Sequence, residues 1–495
     1  MAPAARPFIS ERGAARAVAL AATLWLLAYW GWAHATGRAW IFEDDAIRIN
    51  FVQVMGNGQW PHEWGYGWLP LPTLWGGLWA SFLGEPVAGA VSAGCLAAMV
   101  AALWLTWALA RRLAPRQPLA AALVVAAYAA SPIVARLAAS ALSEPLFLAL
   151  ALGAGWLLGE AAAGRRWALA GGLALLVGTQ AVRYEAWAAS LLTGGAMIAL
   201  FQARARGGAM LAAMAGMAAL AAFPALWSLG SWIQRGDPFA YINDFRAVHY
   251  GYHADLTVAR RLARLGPGFQ ATAAGWGVLV LTGAAWAFAE RRERDEFSPI
   301  PLAVLGLATL AFLLLSAIRG EFAHVALDRF VAIPMLLLLP LAARPAGWVL
   351  DHLQGWRRFA FAALGILAAA GGFLAFDKGY ALTRLELREN LMDLLAPADV
   401  VWFVLPEGQE DVLPNSLSAI GPPSVAMTTR RLPAEASARQ LLALMNEGPG
   451  WIVLDPRFEA APELIRQART GWRVLGPVDE LLLFLRRPDD SSSGP

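Results

Sequence analysis

Three consecutive acidic residues, Glu43, Asp44 and Asp45, follow the first long apolar segment of the chain by only a few positions. A carboxylate is costly to keep charged near a bilayer, so acids in this place indicate a functional group. The chemistry they offer is that of a general base, which accepts a proton from a hydroxyl. An acidic helix start is the alternative, although one acid suffices for it. Asp44 is the first candidate for the base and Asp45 the second, while Glu43 is more peripheral.

From Asp44 onward, the sequence DDAIRINFVQVM predicts a helix that lies on the membrane surface. Ile47, Phe51 and Met55 recur at helical spacing and form one apolar stripe. Arg48 follows Asp44 by four positions, so the two side chains share a helix face and can form an ion pair. Arg48 is therefore a candidate binding residue beside the acids.

Arginines at the ends of later apolar segments are candidates for binding a phosphate, because the planar guanidinium group can pair with two oxygens at once. Arg329 is the first candidate, and the alternative is an anchor that reaches the membrane interface. Arg183 and Glu185 flank a very short turn, where they either bind substrate or pair with each other. Glu144 precedes a proline at a predicted helix start, and the helix dipole alone explains an acid there.

The composition places the chain among membrane proteins. Hydrophobic residues make up 58% and charged residues only 15% of the 495 residues, with a mean hydropathy of +0.50. The net charge of +3 comes from arginines scattered through loops, which does not indicate nucleic-acid binding. The single cysteine, Cys95, excludes a disulfide framework and a cysteine metal site. No glycine-rich nucleotide-binding motif is present.

Eleven apolar segments are long enough to predict transmembrane helices. The first, which follows three arginines, is interpreted as an uncleaved helix rather than a signal peptide. The segment 68–83, with its prolines and paired glycines, is predicted to lie at the membrane surface or to insert halfway. The eleven predicted spans are Ala17–Ala35, Val87–Ala110, Leu119–Val134, Leu146–Ala163, Trp167–Val182, Ala186–Phe201, Ala209–Leu229, Ala271–Ala289, Leu302–Ile318, Leu327–Ala343 and Phe359–Phe376.

The distribution of arginines predicts the orientation of these spans. With eleven crossings, five arginine-containing connections fall on the side of the N-terminus, which is therefore predicted to be cytoplasmic. The opposite side receives the acidic triplet, Glu144, Arg183, Glu185, the loop 231–270 and the turn that contains Arg329. The rare charged residues thus converge on one face, as an active site requires.

The chain is predicted to have two domains and a tail. Residues 1–376 form the transmembrane domain, with a first external loop at 36–86 and a long external loop at 231–270. Residues 377–488 have the composition of a soluble domain, in which short strands alternate with helical patterns, and they predict a small extracytoplasmic α/β domain. The polar residues 489–495 predict a disordered tail.

The order and sidedness of these motifs resemble the GT-C superfamily of membrane glycosyltransferases, in particular its protein O-mannosyltransferase and aminoarabinose transferase group. The resemblance covers about residues 15–375. It rests on the acids followed by a surface helix, the stretch WGYGWLPLP, and three motifs at the ends of spans. Those motifs are Ser143-Glu144-Pro145, Arg183-Tyr184-Glu185 and Asp328-Arg329-Phe330. The implied fold is a polytopic α-helical membrane protein with about eleven spans.

The resemblance implies a transfer of one sugar from a polyprenyl-phosphate donor to a hydroxyl of a lipid, glycan or protein acceptor. Asp44 or Asp45 would be the base of an inverting displacement, and Arg329 would bind the donor's phosphate. The implied location is the bacterial inner membrane, with membrane lipids as further partners and the C-terminal domain outside the cytoplasm.

The loop 231–270 offers candidates for sugar recognition in Arg246, His249 and Tyr250, although exposed loops often have this composition. No cofactor is predicted. A divalent metal ion is conceivable because His249, His253 and His324 are external, but the contiguous acids favour a metal-free enzyme.

Two other classes of protein stay open. A transporter or flippase of lipid-linked glycans would carry its charges near the membrane midplane, whereas here they collect at one surface. A non-catalytic partner in envelope assembly would keep the fold without the activity, and the acidic triplet disfavours it.

Overall fold

The computed structural model describes the greater part of the chain. The described residues are 10–36, 39, 43–56, 69–84, 87–204, 206–240, 243, 257–263, 265–266, 269, 276–289, 296–319, 327–367, 400–406, 426–433, 436–447, 451–454, 463–464, 472–478 and 481–486.

The chain divides into two compact units. The first contains residues 1–39 and 52–377, and the second contains residues 40–51 and 378–495. The predicted base therefore belongs to the second unit, together with the C-terminal residues. The domain assignment made from the sequence, which placed residues 1–376 in one domain, stays a prediction.

Helices form all of the regular structure described between residues 10 and 367, apart from one 3₁₀ turn at Leu339–Ala342. A helix also covers residues 356–367. The others are α1 (Glu11–Ala35), α2 (Glu43–Gly56), α3 (Pro70–Leu83), α4 (Val87–Leu113), α5 (Pro118–Ala129), α6 (Pro132–Ala138), α7 (Glu144–Ala162), α8 (Arg166–Gln180), α9 (Glu185–Ala203), α10 (Gly207–Arg235), α11 (Val258–Ala263), α12 (Gly277–Ala289), α13 (Ile300–Arg319), α14 (Leu327–Leu338) and α15 (Ala343–His352).

The protein is a polytopic helical membrane protein. Seven helices of the described part are long and apolar enough to cross a bilayer, and the pair α5–α6 adds an eighth if it counts as one span. Each of the eleven predicted spans overlaps a described helix, but the exact number of crossings stays a prediction. Helix α3 has only 14 residues, fewer than the about 20 that a crossing needs.

Prolines explain where two of the predicted spans are broken. Helices α5 and α6 meet at a bend of 67°, because Pro132 disfavours a helical conformation at Ser131. Pro340 lies in the 3₁₀ turn that separates α14 from α15. The sequence had predicted one uninterrupted span at each place.

Pro224 lies inside α10 and cannot donate the backbone hydrogen bond that the carbonyl of Leu220 would otherwise accept. The side chain of Gln180 in α8 makes up for the loss, since its Nε2 donates to that carbonyl at 2.9 Å. A buried carbonyl within a bilayer is expensive to leave unpaired. Gln180 therefore stabilises the proline-containing turn of its neighbour.

Helix α7 is the best-buried long helix apart from the α14–α15 segment. It packs against α4, α8, α13 and α14, and 78% of its apolar window is buried, compared with 11% for α10. Glycines permit this packing, because a Cβ on Gly159 would overlap the ring of Phe297 and one on Gly172 would overlap Leu158. The two ends of α7 thus lie among the ends of other helices.

The second unit contains a five-stranded sheet in the order β2-β1-β3-β5-β4. Strand β1 pairs in parallel with β2 and β3, whereas β5 pairs antiparallel with β3 and β4. The strands are β1 (Val400–Pro406), β2 (Ala426–Leu432), β3 (Trp451–Leu454), β4 (Trp472–Val478) and β5 (Leu481–Arg486), and helix α16 (Ala438–Glu447) lies between β2 and β3 in the sequence. Much of the chain between these strands lies outside the described residues, so the α/β domain as a whole stays a prediction.

Candidate functional site

The acidic triplet begins α2, as the sequence predicted. Glu43 is the first residue of the helix, and Asp44 and Asp45 complete its first turn with it. The helix dipole stabilises negative charge at this end. The side chains of these acids lie outside the described part, so the pairing of Asp44 with Arg48 and the role of a base stay predictions. The side chain of Arg48, one turn later, is buried.

A cluster of two arginines and two glutamates forms at the ends of four helices in the first unit. Arg183, in the turn between α8 and α9, donates from Nη1 to Glu144 Oε1 at 2.9 Å and from Nε to Glu185 Oε1. Arg329, in the first turn of α14, approaches Glu144 Oε1 with its Nε at 3.5 Å. Glu144 therefore bridges two arginines that are far apart in the sequence.

A hydroxyl and an aromatic ring complete this cluster. Ser143 Oγ accepts a hydrogen bond from Arg183 Nη1 and donates one to Glu144 Oε2, both at 3.3 Å. The guanidinium groups of Arg183 and Arg329 each lie 5.0 Å from the ring centroid of Phe330, a distance that favours cation–π attraction. Both guanidinium groups are thus within cation–π distance of the same ring.

Burial distinguishes this cluster from an ordinary surface ion pair. The side chains of Glu144, Arg329 and Arg183 are only 1%, 8% and 10% exposed. Burial lowers the pKa of Arg183, but the carboxylates of Glu185 and Glu144 raise it by more, so the pKa lies above its ordinary value. The arginine consequently stays charged at neutral pH. Buried charges of this kind are retained mainly for function.

Three of the candidate binding residues are therefore brought together, namely Arg329, Arg183 and Glu185. Arg183 and Glu185 pair with each other, which was one of the two alternatives left open by the sequence, and Arg183 also contacts Glu144 and Ser143. Their role in substrate binding stays a prediction. Arg246, His249 and Tyr250 lie outside the described residues. Asp44, Asp45, Glu43 and Arg48 belong to the other unit.

Glu144 is the residue that sequence reasoning left out of the site. A glutamate before a proline was fully explained as a helix start, and nothing in the local sequence shows which residues face it. The available signal was its position, because Glu144, Arg183 and Arg329 are charged residues at the ends of apolar segments on one predicted side.

An apolar cavity of about 380 Å³ opens between α3, α4, α7 and α8. Its lining residues include Trp75, Ala101, Leu146, Gly153 and Leu175. Leu146 lies two residues after Glu144 on α7, so this end of the cavity lies at about the level of the charged cluster along the helix, although the two side chains face different directions. Along α7 the lining reaches Leu157, a rise of about 16 Å.

The other end of α7 carries a second cluster. Glu160 pairs with Arg112 at 2.8 Å and with Arg165 at 3.2 Å. Nearby, Arg204 and Arg206 donate to the carbonyl of Ala162 at the end of the helix. Cations here offset the negative end of the helix dipole.

Arg261, in the basic segment α11, donates from Nη1 to the carbonyl of Ile318 at 2.9 Å. This contact attaches α11 to the end of α13.

No group of three or more potential metal ligands occurs among the described residues. The histidines considered as ligands, His249, His253 and His324, lie outside that part of the chain.

Comparisons with known proteins find similarity in structure. No family model matches the chain, and no curated protein matches it either. A crystal structure of ArnT from Cupriavidus metallidurans in the apo state matches with a TM-score of 0.55 and 14% identity, covering 96% of this chain and 100% of that one. The same protein bound to undecaprenyl phosphate matches with a TM-score of 0.55 and 14% identity over 97% and 98%.

An apo crystal structure of the Archaeoglobus fulgidus oligosaccharyltransferase matches with a TM-score of 0.50 and 11% identity, covering 96% of this chain and 75% of that one. These likenesses show a shared fold over almost the whole chain. They agree with the polytopic helical fold that the sequence predicted, while the number of spans and the C-terminal domain stay predictions.

Proposed function

We propose that this GT-C-fold protein is a glycosyltransferase that moves a sugar from a polyprenyl-phosphate donor to a hydroxyl of an extracytoplasmic lipid, glycan or protein. The observation that carries the proposal is the buried pair Arg183 and Arg329 at one end of a transmembrane bundle. An anionic headgroup at the membrane surface would meet two fixed guanidinium groups there. The likeness to a structure bound to undecaprenyl phosphate supports the same class of ligand.

The donor carries its own activated leaving group, a phosphate diester linked to the anomeric carbon. In the proposed reaction the acceptor oxygen attacks that carbon, the bond to the phosphate oxygen breaks, and polyprenyl phosphate departs. Asp44, or else Asp45, takes the proton of the acceptor hydroxyl. Arg329 and Arg183 stabilise the charge that develops on the phosphate. A single direct displacement inverts the anomeric configuration.

The remaining candidate residues have supporting roles. Arg48 orients Asp44 from one turn away on α2, and Glu43 lies at the edge of the site. Arg246, His249 and Tyr250 bind the sugar or the acceptor from the loop 231–270. The cavity beside α7 offers apolar surface to the hydrocarbon chain of the donor, since its lining along α7 starts two residues after Glu144 and reaches Leu157.

The proposed location is the bacterial inner membrane, with a cytoplasmic N-terminus and an extracytoplasmic C-terminal domain. Helix α7 supports this orientation, because its 19 residues span about 28 Å and its Glu160 end carries exposed arginines. Exposed arginines are typical of the cytoplasmic side.

A comparison of Asp44→Asn with Asp45→Asn tests the assignment of the base. In membranes supplied with labelled polyprenyl-phosphate sugars, one of the two variants is expected to lose about 100-fold or more of the transfer rate while it still binds donor. Glu43→Gln is the matched control and retains activity. Full transfer by both aspartate variants would remove the base from α2. Translocation of the lipid without a new glycosidic bond would identify a flippase instead.

A further inference from the structure

The cluster at the start of α7 has no net charge when its site is empty. Glu144 and Glu185 carry one negative charge each, and Arg183 and Arg329 carry one positive charge each, so these four side chains sum to zero. A phosphate that bound beside all four would add negative charge to a neutral group in a poorly hydrated place. Such a place favours a cluster that stays balanced or positive when the anion arrives.

The two carboxylates differ in how firmly they are held. Glu144 is 1% exposed and contacts Arg183, Arg329 and the hydroxyl of Ser143. Glu185 is 14% exposed and contacts Arg183. Glu144 therefore joins three elements of the bundle, whereas Glu185 lies at the outer side of the cluster.

Glu185 and Glu144 accept hydrogen bonds from different nitrogen atoms of Arg183. Glu185 accepts from Nε, while Glu144 accepts from Nη1. The edge of a guanidinium group that includes Nε is one of those that carboxylates and phosphates occupy with two parallel hydrogen bonds. Glu185 thus occupies a place that suits a phosphate.

Glu185 is the first residue of α9, where the helix dipole stabilises a carboxylate whether or not an arginine is near. The dipole therefore offsets part of the electrostatic cost of releasing Glu185 from Arg183. Partial exposure also lets the carboxylate regain water after it leaves.

We propose that Glu185 acts as an exchangeable substitute for the donor's phosphate. It rests on Arg183 when the site is empty, and it is displaced when the anionic headgroup binds, while Glu144 stays in place and positions both arginines. The inference rests on the proposed function, and it states that the carboxylate of Glu185 competes with the donor's phosphate for Arg183. The exchange keeps Arg183 neutralised in the empty protein and gives the occupied cluster the positive charge that a phosphate needs.

The test compares two substitutions that change the charge by the same amount. Binding of undecaprenyl phosphate to the full chain in nanodiscs is measured for wild type, Glu185→Gln and Glu144→Gln. Glu185→Gln is expected to bind undecaprenyl phosphate about fivefold more tightly than wild type, because the competing carboxylate is gone. Glu144→Gln is expected to bind it about tenfold more weakly, because the bridging carboxylate is lost. Glu160→Gln, at the other end of α7, serves as the control and leaves binding unchanged.

The outcomes separate the inference from the function on which it rests. Equal tightening by Glu185→Gln and Glu144→Gln would show a plain charge effect and overturn the exchange. Unchanged or weaker binding by Glu185→Gln, with wild-type binding intact, would overturn it as well. Failure of the wild-type protein to bind undecaprenyl phosphate would instead count against the proposed function itself.

A second variant keeps the test valid if Glu144→Gln lowers the melting temperature too far for binding to be measured. Glu185→Asp retains the charge and shortens the side chain by one methylene group, so it weakens the contact with Arg183. Binding is expected to be intermediate between wild type and Glu185→Gln. Binding equal to or weaker than wild type in Glu185→Asp would contradict the exchange.

Discussion

Helix α7 carries a buried glutamate near each end, and each glutamate pairs with two arginines, but the two arginine pairs differ in exposure. Arg112 and Arg165, the partners of Glu160, are 46% and 49% exposed. Arg183 and Arg329, the partners of Glu144, are almost fully buried. The same pairing chemistry therefore occurs once at a surface and once inside the bundle.

The difference in exposure indicates that the two clusters have different roles. At the Glu160 end, water can hydrate the arginines, and the cations also offset the C-terminal end of the helix dipole. At the Glu144 end, the charges depend on one another, and the desolvation cost of keeping them inside is large. The first arrangement serves as an anchor, while the second is suited to bind an anion.

Arg183→Met is expected to have the largest effect of the substitutions at the two ends of α7. It leaves Glu144 with one arginine and Glu185 with none of the contacts described above, so the free energy of unfolding is expected to fall by about 3–5 kcal/mol. Thermal unfolding in detergent measures the loss, and undecaprenyl phosphate binding should vanish. Arg165→Met is the matched control at the other end. Similar losses in the two variants would mean that burial does not distinguish the clusters.

Arg329→Lys separates the effect of charge from that of geometry, because it keeps the positive charge and removes the planar guanidinium group. Because lysine cannot pair bidentately with a phosphate, binding of undecaprenyl phosphate is expected to weaken about tenfold. The dissociation constant in nanodiscs measures the effect, with Arg112→Lys as control. Wild-type affinity in Arg329→Lys would identify Arg329 as a membrane anchor.

Glu160→Gln is expected to have a modest effect. Its two arginines are about half exposed, so they regain water when the carboxylate is lost, and the cost should be about 1 kcal/mol. The melting temperature measures this cost, and the rate of sugar transfer should equal that of wild type. A loss of transfer comparable with that of Arg183→Met would place the Glu160 cluster in the reaction.

Salt should produce the smallest effect. An increase from 0.1 to 1 M NaCl shortens the screening length from about 10 to about 3 Å, which weakens exposed pairs much more than buried ones. The difference in melting temperature between wild type and Glu160→Gln should therefore shrink, while the difference between wild type and Arg183→Met should persist. Equal shrinkage of both differences would contradict the assigned burial.

The sequence predicted the apolar helices, because apolar length is a local property. The helix near Glu43 follows from short spacings, and so does the pairing of Arg183 with Glu185, which the sequence offered as one of two alternatives. The bridge from Glu144 to Arg329 does not, since it joins residues on α7 and α14 that only tertiary packing brings together. A local explanation for Glu144 was sufficient by itself and concealed its second role.

Interrupted elements were the other limit of sequence reasoning. The bend at Pro132 was absorbed into one predicted span, although a proline there is a signal of a break. In strand β4, Gly476 and Pro477 interrupt the apolar pattern that is typical of a strand, and the register shifts between Val474 and Pro477. In both cases a local conformational preference mattered more than average hydropathy.

The bond from Gln180 to the carbonyl of Leu220 has a consequence for biogenesis. Inserted alone, α10 would carry a carbonyl that no lipid can satisfy. Its partner must already stand beside it, and α8 is synthesised earlier. The hydrogen-bond donor on α8 is thus synthesised before the carbonyl on α10 that it pairs with. The side chain of Gln180 can therefore stabilise α10 when that helix enters the membrane.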